Sequence, residues 1–118
     1  MNYRLVETEK GKYIELVPGE AIIVTAQDAV DLVGIAYGSD VDSLLIPTGC
    51  LSDDFVVLST GFAGLVVQKL VQYRIRTAIV LEQRNLPERF QEYAREINNT
   101  GSLHICFDEE EARAWLIA

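Results

Sequence analysis

The sequence predicts an α/β domain whose mixed sheet of about five strands is accompanied by about four helices. Three observations lead there. Short, β-branched apolar runs alternate with longer segments of helical periodicity. The helical segments are bounded by capping residues, glycines or prolines. A length of 118 residues at 49% hydrophobic content suits one core, so residues 1–118 are expected to form a single domain. Alternation at these lengths implies right-handed crossovers between parallel strands.

Taken in order, residues 3–7 and 13–17 read as a hairpin across Gly11, and Pro18-Gly19 turns the chain. Residues 21–24 are a strand extension or an extended lead-in. Thr25 with Asp28 forms a capping box for a helix reaching about Tyr37. Its expected inner face is Ala26, Ala29, Val30, Val33 and Tyr37, and Gly38 supplies the stop. Residues 43–46 form a short apolar run ended by Pro47, which suits a central strand covered on both faces.

The next helix begins near Ser59 or Thr60 and runs to about Tyr73. Phe62, Leu65, Val66, Leu70 and Tyr73 form its apolar band, widened by Ala63, Val67 and Val71. Residues 77–81 read as a second central strand. Pro87 opens a helix carrying Phe90, Tyr93, Ala94 and Ile97 on one face, and residues 99–101 end it. Residues 103–107 form the last strand. Asp108 caps a final helix whose first turn holds Glu109 and Glu110, which favour its dipole, while Ala112, Trp115 and Leu116 dock it on the sheet.

A net charge of −8 argues against nucleic acid or an anionic membrane as partner, since both reward Lys and Arg. No apolar run reaches the length of a membrane span, and no signal peptide precedes the first strand, so a cytoplasmic location is expected. The charge is uneven. Residues 1–58 hold three basic and ten acidic groups, whereas residues 59–95 hold six basic (Lys69, Arg74, Arg76, Arg84, Arg89 and Arg95) and three acidic. Such an island is either a partner surface or a set of solvated helix faces.

Signals for catalysis are weak, and the chain is not expected to be an enzyme or to carry a cofactor. Cys50 and Cys106 lack CxxC spacing and read as buried, reduced thiols. His104 lies on a strand with no second histidine, so a zinc site lacks ligands. Cys50 follows a strand end but has no base or cation near it in sequence. The glycines fit neither a dinucleotide fingerprint nor a phosphate loop.

The candidate site is the entrance to the helix near residue 59. Thr60, Gly64, Gln68 and Gln72 recur at i+4 as a small, polar, uncharged stripe, with Gly61 beside it. Its glycines serve either tight packing or a surface cleared for a partner. Ser59, Thr60, Gly61, Gly64 and Gln68 are therefore the candidate binding residues, and Ser59 and Thr60 the candidate phosphorylation sites. A protein partner is the leading expectation, with a second copy of the chain in a homodimer left open. The alternative is a small anionic ligand or nucleotide at the same helix end, with Arg76 and Arg84 adding charge.

The stretch LSTGFAGLVVQKLVQYRIRTAIV, the preceding DDF and the closing FDEEEARAWL resemble the bacterial family known as domain of unknown function 4180. The resemblance covers nearly the whole chain, and STG-x-AG-x-x-x-QK is its most specific part. More distantly, the order of elements is similar to STAS domains, the fold of the anti-sigma-factor antagonists. In those proteins a Ser-Ser-Gly-type turn opens a helix, and phosphorylation of its first serine controls docking on a partner kinase. Ser59, Thr60 and Gly61 match that turn, and Leu58 stands where the antagonists carry Asp. The resemblance thus implies a regulatory interaction module in the bacterial cytosol.

Overall fold

The computed structural model describes residues 1–19, 22–82 and 85–118. Its strands are β1 (Tyr3–Thr8), β2 (Gly11–Leu16), β3 (Ser43–Ile46), β4 (Arg76–Val80) and β5 (Leu103–Cys106). Its α-helices are α1 (Ala26–Gly38), α2 (Phe62–Gln72), α3 (Glu88–Thr100) and α4 (Glu109–Leu116). The sheet follows chain order, β1-β2-β3-β4-β5. β1 runs antiparallel to β2, and each later pair is parallel. The expected α/β class, the mixed five-stranded sheet and the four helices are all present.

Chain order in the sheet has a geometric consequence. Every crossover from β2 to β5 steps in one direction, and right-handed crossovers then place their helices on one face. Accordingly, Ile14, Leu16, Leu44, Ile46, Ile79, Leu103 and Ile105 share a core with the buried faces of α1, α2 and α3. Alternate strand residues, Tyr13, Leu45, Ala78, Val80 and Cys106, point the other way and meet Ala112 and Leu116 of α4. One face of the sheet has three helices, and the other is covered by α4, which is eight residues long.

The hairpin turns through Glu9 and Lys10, with Thr8 opposite Gly11. Of the stretch 21–24, Ala21 lies outside the described residues, and Ile23 makes an isolated parallel bridge to Leu51. The Thr25 capping box forms in both directions. The inner face of α1 differs from expectation. Leu32 and Ala36 are buried with Ala29 and Val33, while Tyr37 is exposed and its hydroxyl donates to the carbonyl of Tyr73. The cause is that α1 packs on α2 as well as on the sheet, which rotates the buried stripe.

The start of α2 also departs from expectation. Ser59 and Thr60 belong to a separate 3-10 turn, Leu58–Thr60, and the α-helix begins at Phe62 after Gly61 takes a left-handed φ of 78°. Leu65 and Val71 lie exposed outside the apolar band.

Candidate functional site

The segment between β3 and α2 is fixed from below by aromatic rings. Phe55, in the 3-10 turn Asp53–Val56, meets Phe62 edge-on at 6.3 Å and Phe90 of α3 at 5.8 Å. Such pairs add roughly 0.5–1.5 kcal/mol beyond the area they bury. This anchor ties the entrance of α2 to α3. Thr60 Oγ1 donates to the carbonyls of Val57 (2.8 Å) and Asp54 (3.1 Å), and accepts from the backbone N–H of Phe62 (3.2 Å). Ser59 is exposed, and its hydroxyl has no hydrogen-bond partner among the described residues. The two hydroxyls of the turn therefore differ: one is built into the helix entrance, the other faces solvent.

Gly61 and Gly64 differ as well. Gly61 is required by its left-handed backbone. Gly64 is ordinary helix, and a Cβ built there would meet nothing within 4 Å. Close packing therefore does not account for Gly64. Instead, Gly64, Val67, Gln68, Val71 and Gln72 form one wall of a cleft of about 650 Å³, opposite Ile97 and Thr100 of α3 and Ser102. Its walls carry no charge. At its far end Val71 and Ser102 lead into a smaller hollow of about 230 Å³ containing Arg74 and Arg76. The structure thus brings Gly64 and Gln68 together on an open surface, and leaves Ser59, Thr60 and Gly61 outside that cleft at the helix entrance.

The residues invoked for an anionic ligand do not converge. Arg76 opens β4, at the amino-terminal end of the parallel strands, whereas α2 begins beyond their carboxyl-terminal end. Its guanidinium lies 3.8 Å from the Trp115 ring centroid and donates to the Trp115 carbonyl at 2.7 Å. Arg84 lies outside the described residues. The cavity at the carboxyl ends of β3 and β4, lined by Thr48, Gly49, Ser52 and neighbours, holds about 100 Å³. That is below the ~300 Å³ at which pockets for small organic ligands begin.

Cys50 is fully buried, and burial pushes its thiol up to about 11, so it offers no ready thiolate. On the other face the structure brings together three side chains of ligand type that the sequence reading kept apart. His104 and Cys106 alternate on β5, so both point toward α4, and Glu111 returns to them from its first turn. The ligating atoms of these three side chains lie within 4.8 Å of one another. His104 Nε2 sits 2.9 Å from Glu111 Oε2, and Cys106 Sγ lies 3.5 Å from the Asp108 carbonyl oxygen. Burial above all holds the Cys106 thiol at about 11, against the stabilising Asp108 backbone contact and reinforced by Glu111. The His-x-Cys spacing on a strand followed by a capped helix was the sequence signal for this grouping. It is missed when the glutamates are assigned to the helix dipole alone.

The sequence pattern of the family described as "Domain of unknown function (DUF4180)" matches residues 8–116. The chain belongs to this family. No curated protein and no solved structure matches it significantly. The α2–α3 cleft and the His104–Cys106–Glu111 group thus both fall within the DUF4180 domain. None of the described helices is long and apolar enough to cross a membrane.

Proposed function

We propose that this DUF4180 domain is a non-enzymatic regulatory module that docks a protein partner along α2. The observation that carries the reading is Gly64. It is a glycine in the first turn of α2, with helical backbone and open space around it, so it costs helix stability without improving packing. A cleared, uncharged cleft between two helices is the shape that accepts a third helix. The cleft's own chemistry describes the occupant: a helix with small apolar and amide-bonding side chains, and a carboxylate where the cleft runs toward Arg74. The acidic balance of the whole chain makes the basic stretch from Lys69 to Arg95 the natural approach for such a partner.

The docking surface lies further along α2 than the turn at Ser59. The turn fits a control point beside it, as the resemblance to STAS antagonists suggests. Ser59, with its solvent-facing hydroxyl, is the residue assigned to phosphorylation, because Thr60 is already engaged by two carbonyls.

Affinity capture from source cells, with wild type, Gly64→Arg and Arg74→Glu baits side by side, tests the reading. A Cβ at Gly64 meets nothing within 4 Å, so Gly64→Arg is expected to leave the fold intact, which circular dichroism of the bait checks. A protein held by wild type and lost with both variants is the expected result. A partner that binds all three equally would place docking elsewhere, and the absence of a specific partner would return weight to a small ligand.

A further inference from the structure

We propose that His104, Cys106 and Glu111 form a binding site for a divalent metal ion of the zinc class. The site lies on the α4 face of the sheet, away from the α2–α3 cleft, and is independent of the docking reading. The argument begins with convergence. A strand repeats its direction every second residue, so His104 and Cys106 project side by side from β5. Asp108 caps α4 by accepting from the Glu110 N–H, which sets the first turn and returns Glu111 over the strand it has just left. Imidazole nitrogen, sulfur and carboxylate oxygen thereby meet within 4.8 Å.

A tetrahedral ion asks for a modest adjustment of these side chains. Bonds of about 2.0–2.3 Å to N, O and S place neighbouring ligands roughly 3.3–3.8 Å apart. His104 Nε2 and Glu111 Oε2, at 2.9 Å, must open slightly, and any pair near the 4.8 Å limit of the group must close by about 1 Å. Glu111 is the adjustable member, since its side chain is 57% exposed and can rotate cheaply. Cys106 is buried and His104 is largely covered, so they form the fixed part of the site.

The imidazole is held by more than the carboxylate. Its ring stacks on Trp115 at a centroid distance of 5.3 Å and an interplanar angle of 15°. Trp115 is in turn held by Arg76, which covers the indole and bonds to the Trp115 carbonyl. This support fixes the ring plane and aims Nε2 at Glu111, which is the task of outer residues around metal ligands. A mixed thiolate, imidazole and carboxylate set favours zinc-like ions over calcium or magnesium, which take oxygen ligands. Three protein ligands leave the fourth position to water or an incoming group.

Cobalt(II) is the probe, because a thiolate–cobalt bond gives a charge-transfer absorption and a tetrahedral ion gives visible ligand-field bands. The full-length protein, reduced and stripped of metal, is titrated with Co²⁺ and then challenged with Zn²⁺. One Co²⁺ per chain with a thiolate band is expected, with displacement by Zn²⁺ and no bleaching by excess Mg²⁺. Cys106→Ser should abolish the band, and Cys50→Ser should leave it intact. Should Cys106→Ser fail to fold, His104→Ala and Glu111→Ala alter more accessible side chains and should each weaken Co²⁺ binding tenfold or more. Absence of a thiolate band in wild type, its survival in Cys106→Ser, or undiminished affinity in both His104→Ala and Glu111→Ala would each overturn the site.

Discussion

At the scale of single residues, two glycines three positions apart make opposite predictions. Gly61 holds a left-handed φ of 78°, a conformation that costs an L-residue about 1–2 kcal/mol. Gly61→Ala should therefore lower stability by that order. Gly64 sits in regular helix with open space beside it, so Gly64→Ala should raise stability by about 0.4–1 kcal/mol. Urea unfolding of the two variants checks this; equal signs would mean that the two backbones are alike. Glu15 supplies a second contrast. This buried carboxylate binds Arg4 on one oxygen and Arg113 at 2.6 Å on the other. Arg4 is mostly solvated, so Arg4→Ala should cost under ~1 kcal/mol. Arg113 is the better-covered partner and also binds Glu109, so Arg113→Ala should cost roughly 1.5–3 kcal/mol. A reversed order in chemical denaturation would show that Arg4 carries the pairing.

At the scale of elements, the entrance of α1 is a local device. Thr25 accepts from the Asp28 N–H, and Asp28 accepts from the N–H groups of Val24 and Thr25. Thr25→Ala should cost about 1 kcal/mol. The Asp28 carboxyl is held below its ordinary range, chiefly by the Val24 N–H, with burial opposing and the bonds from Thr25 adding. A depressed folded-state value means that the stabilisation is complete above the ordinary carboxylate range and fades as pH falls through the folded value. The stability gap between wild type and Asp28→Ala should thus be widest near neutrality and close in acid, and a gap independent of pH would remove the carboxylate from the account. Because its partners are three or four residues apart, this cap was readable in the sequence. The start of α2 was not. Gly61 bends there because Phe55, Phe62 and Phe90 meet across separate elements, and no spacing along the chain reports such a contact. The buried face of α1 escaped for the same reason: α2 draws Leu32 and Ala36 inward and leaves Tyr37 outside.

At the scale of the whole molecule, the decisive fact is that the sheet keeps chain order, which puts α1, α2 and α3 together and leaves the opposite face to α4. Local periodicity shows that strands and helices alternate, but not which strands become neighbours or which face a final helix covers. His104, Cys106 and Glu111 were each visible in the sequence, and only the packing of α4 on β5 made them one group. The Gly64, Gln68 and Gln72 part of the stripe was legible because it lies within one helix, whereas the break after Thr60 and the second wall on α3 were not. The same asymmetry predicts how the molecule opens. The core beneath α4 holds far fewer buried residues than the core shared by the other three helices. α4 is short, and its attachment relies on Ala112 and Leu116, with Trp115 and Ile117 partly buried beside them, together with Arg113–Glu15, His104–Glu111 and Arg76 to the Trp115 carbonyl. A unit held by so little apolar area should separate below the global unfolding free energy. Native-state hydrogen exchange should find the α4 amides opening with little dependence on denaturant, while β3 and β4 exchange only through global unfolding. Leu116→Ala, expected to cost about 2–5 kcal/mol, should accelerate exchange in α4 more than in β3. If the amides of α4 and β3 instead shared one opening free energy in both proteins, the two faces of the sheet would form a single cooperative unit. Zinc that binds across β5 and α4 should slow α4 exchange selectively, because it joins the helix to a strand of the more stable unit.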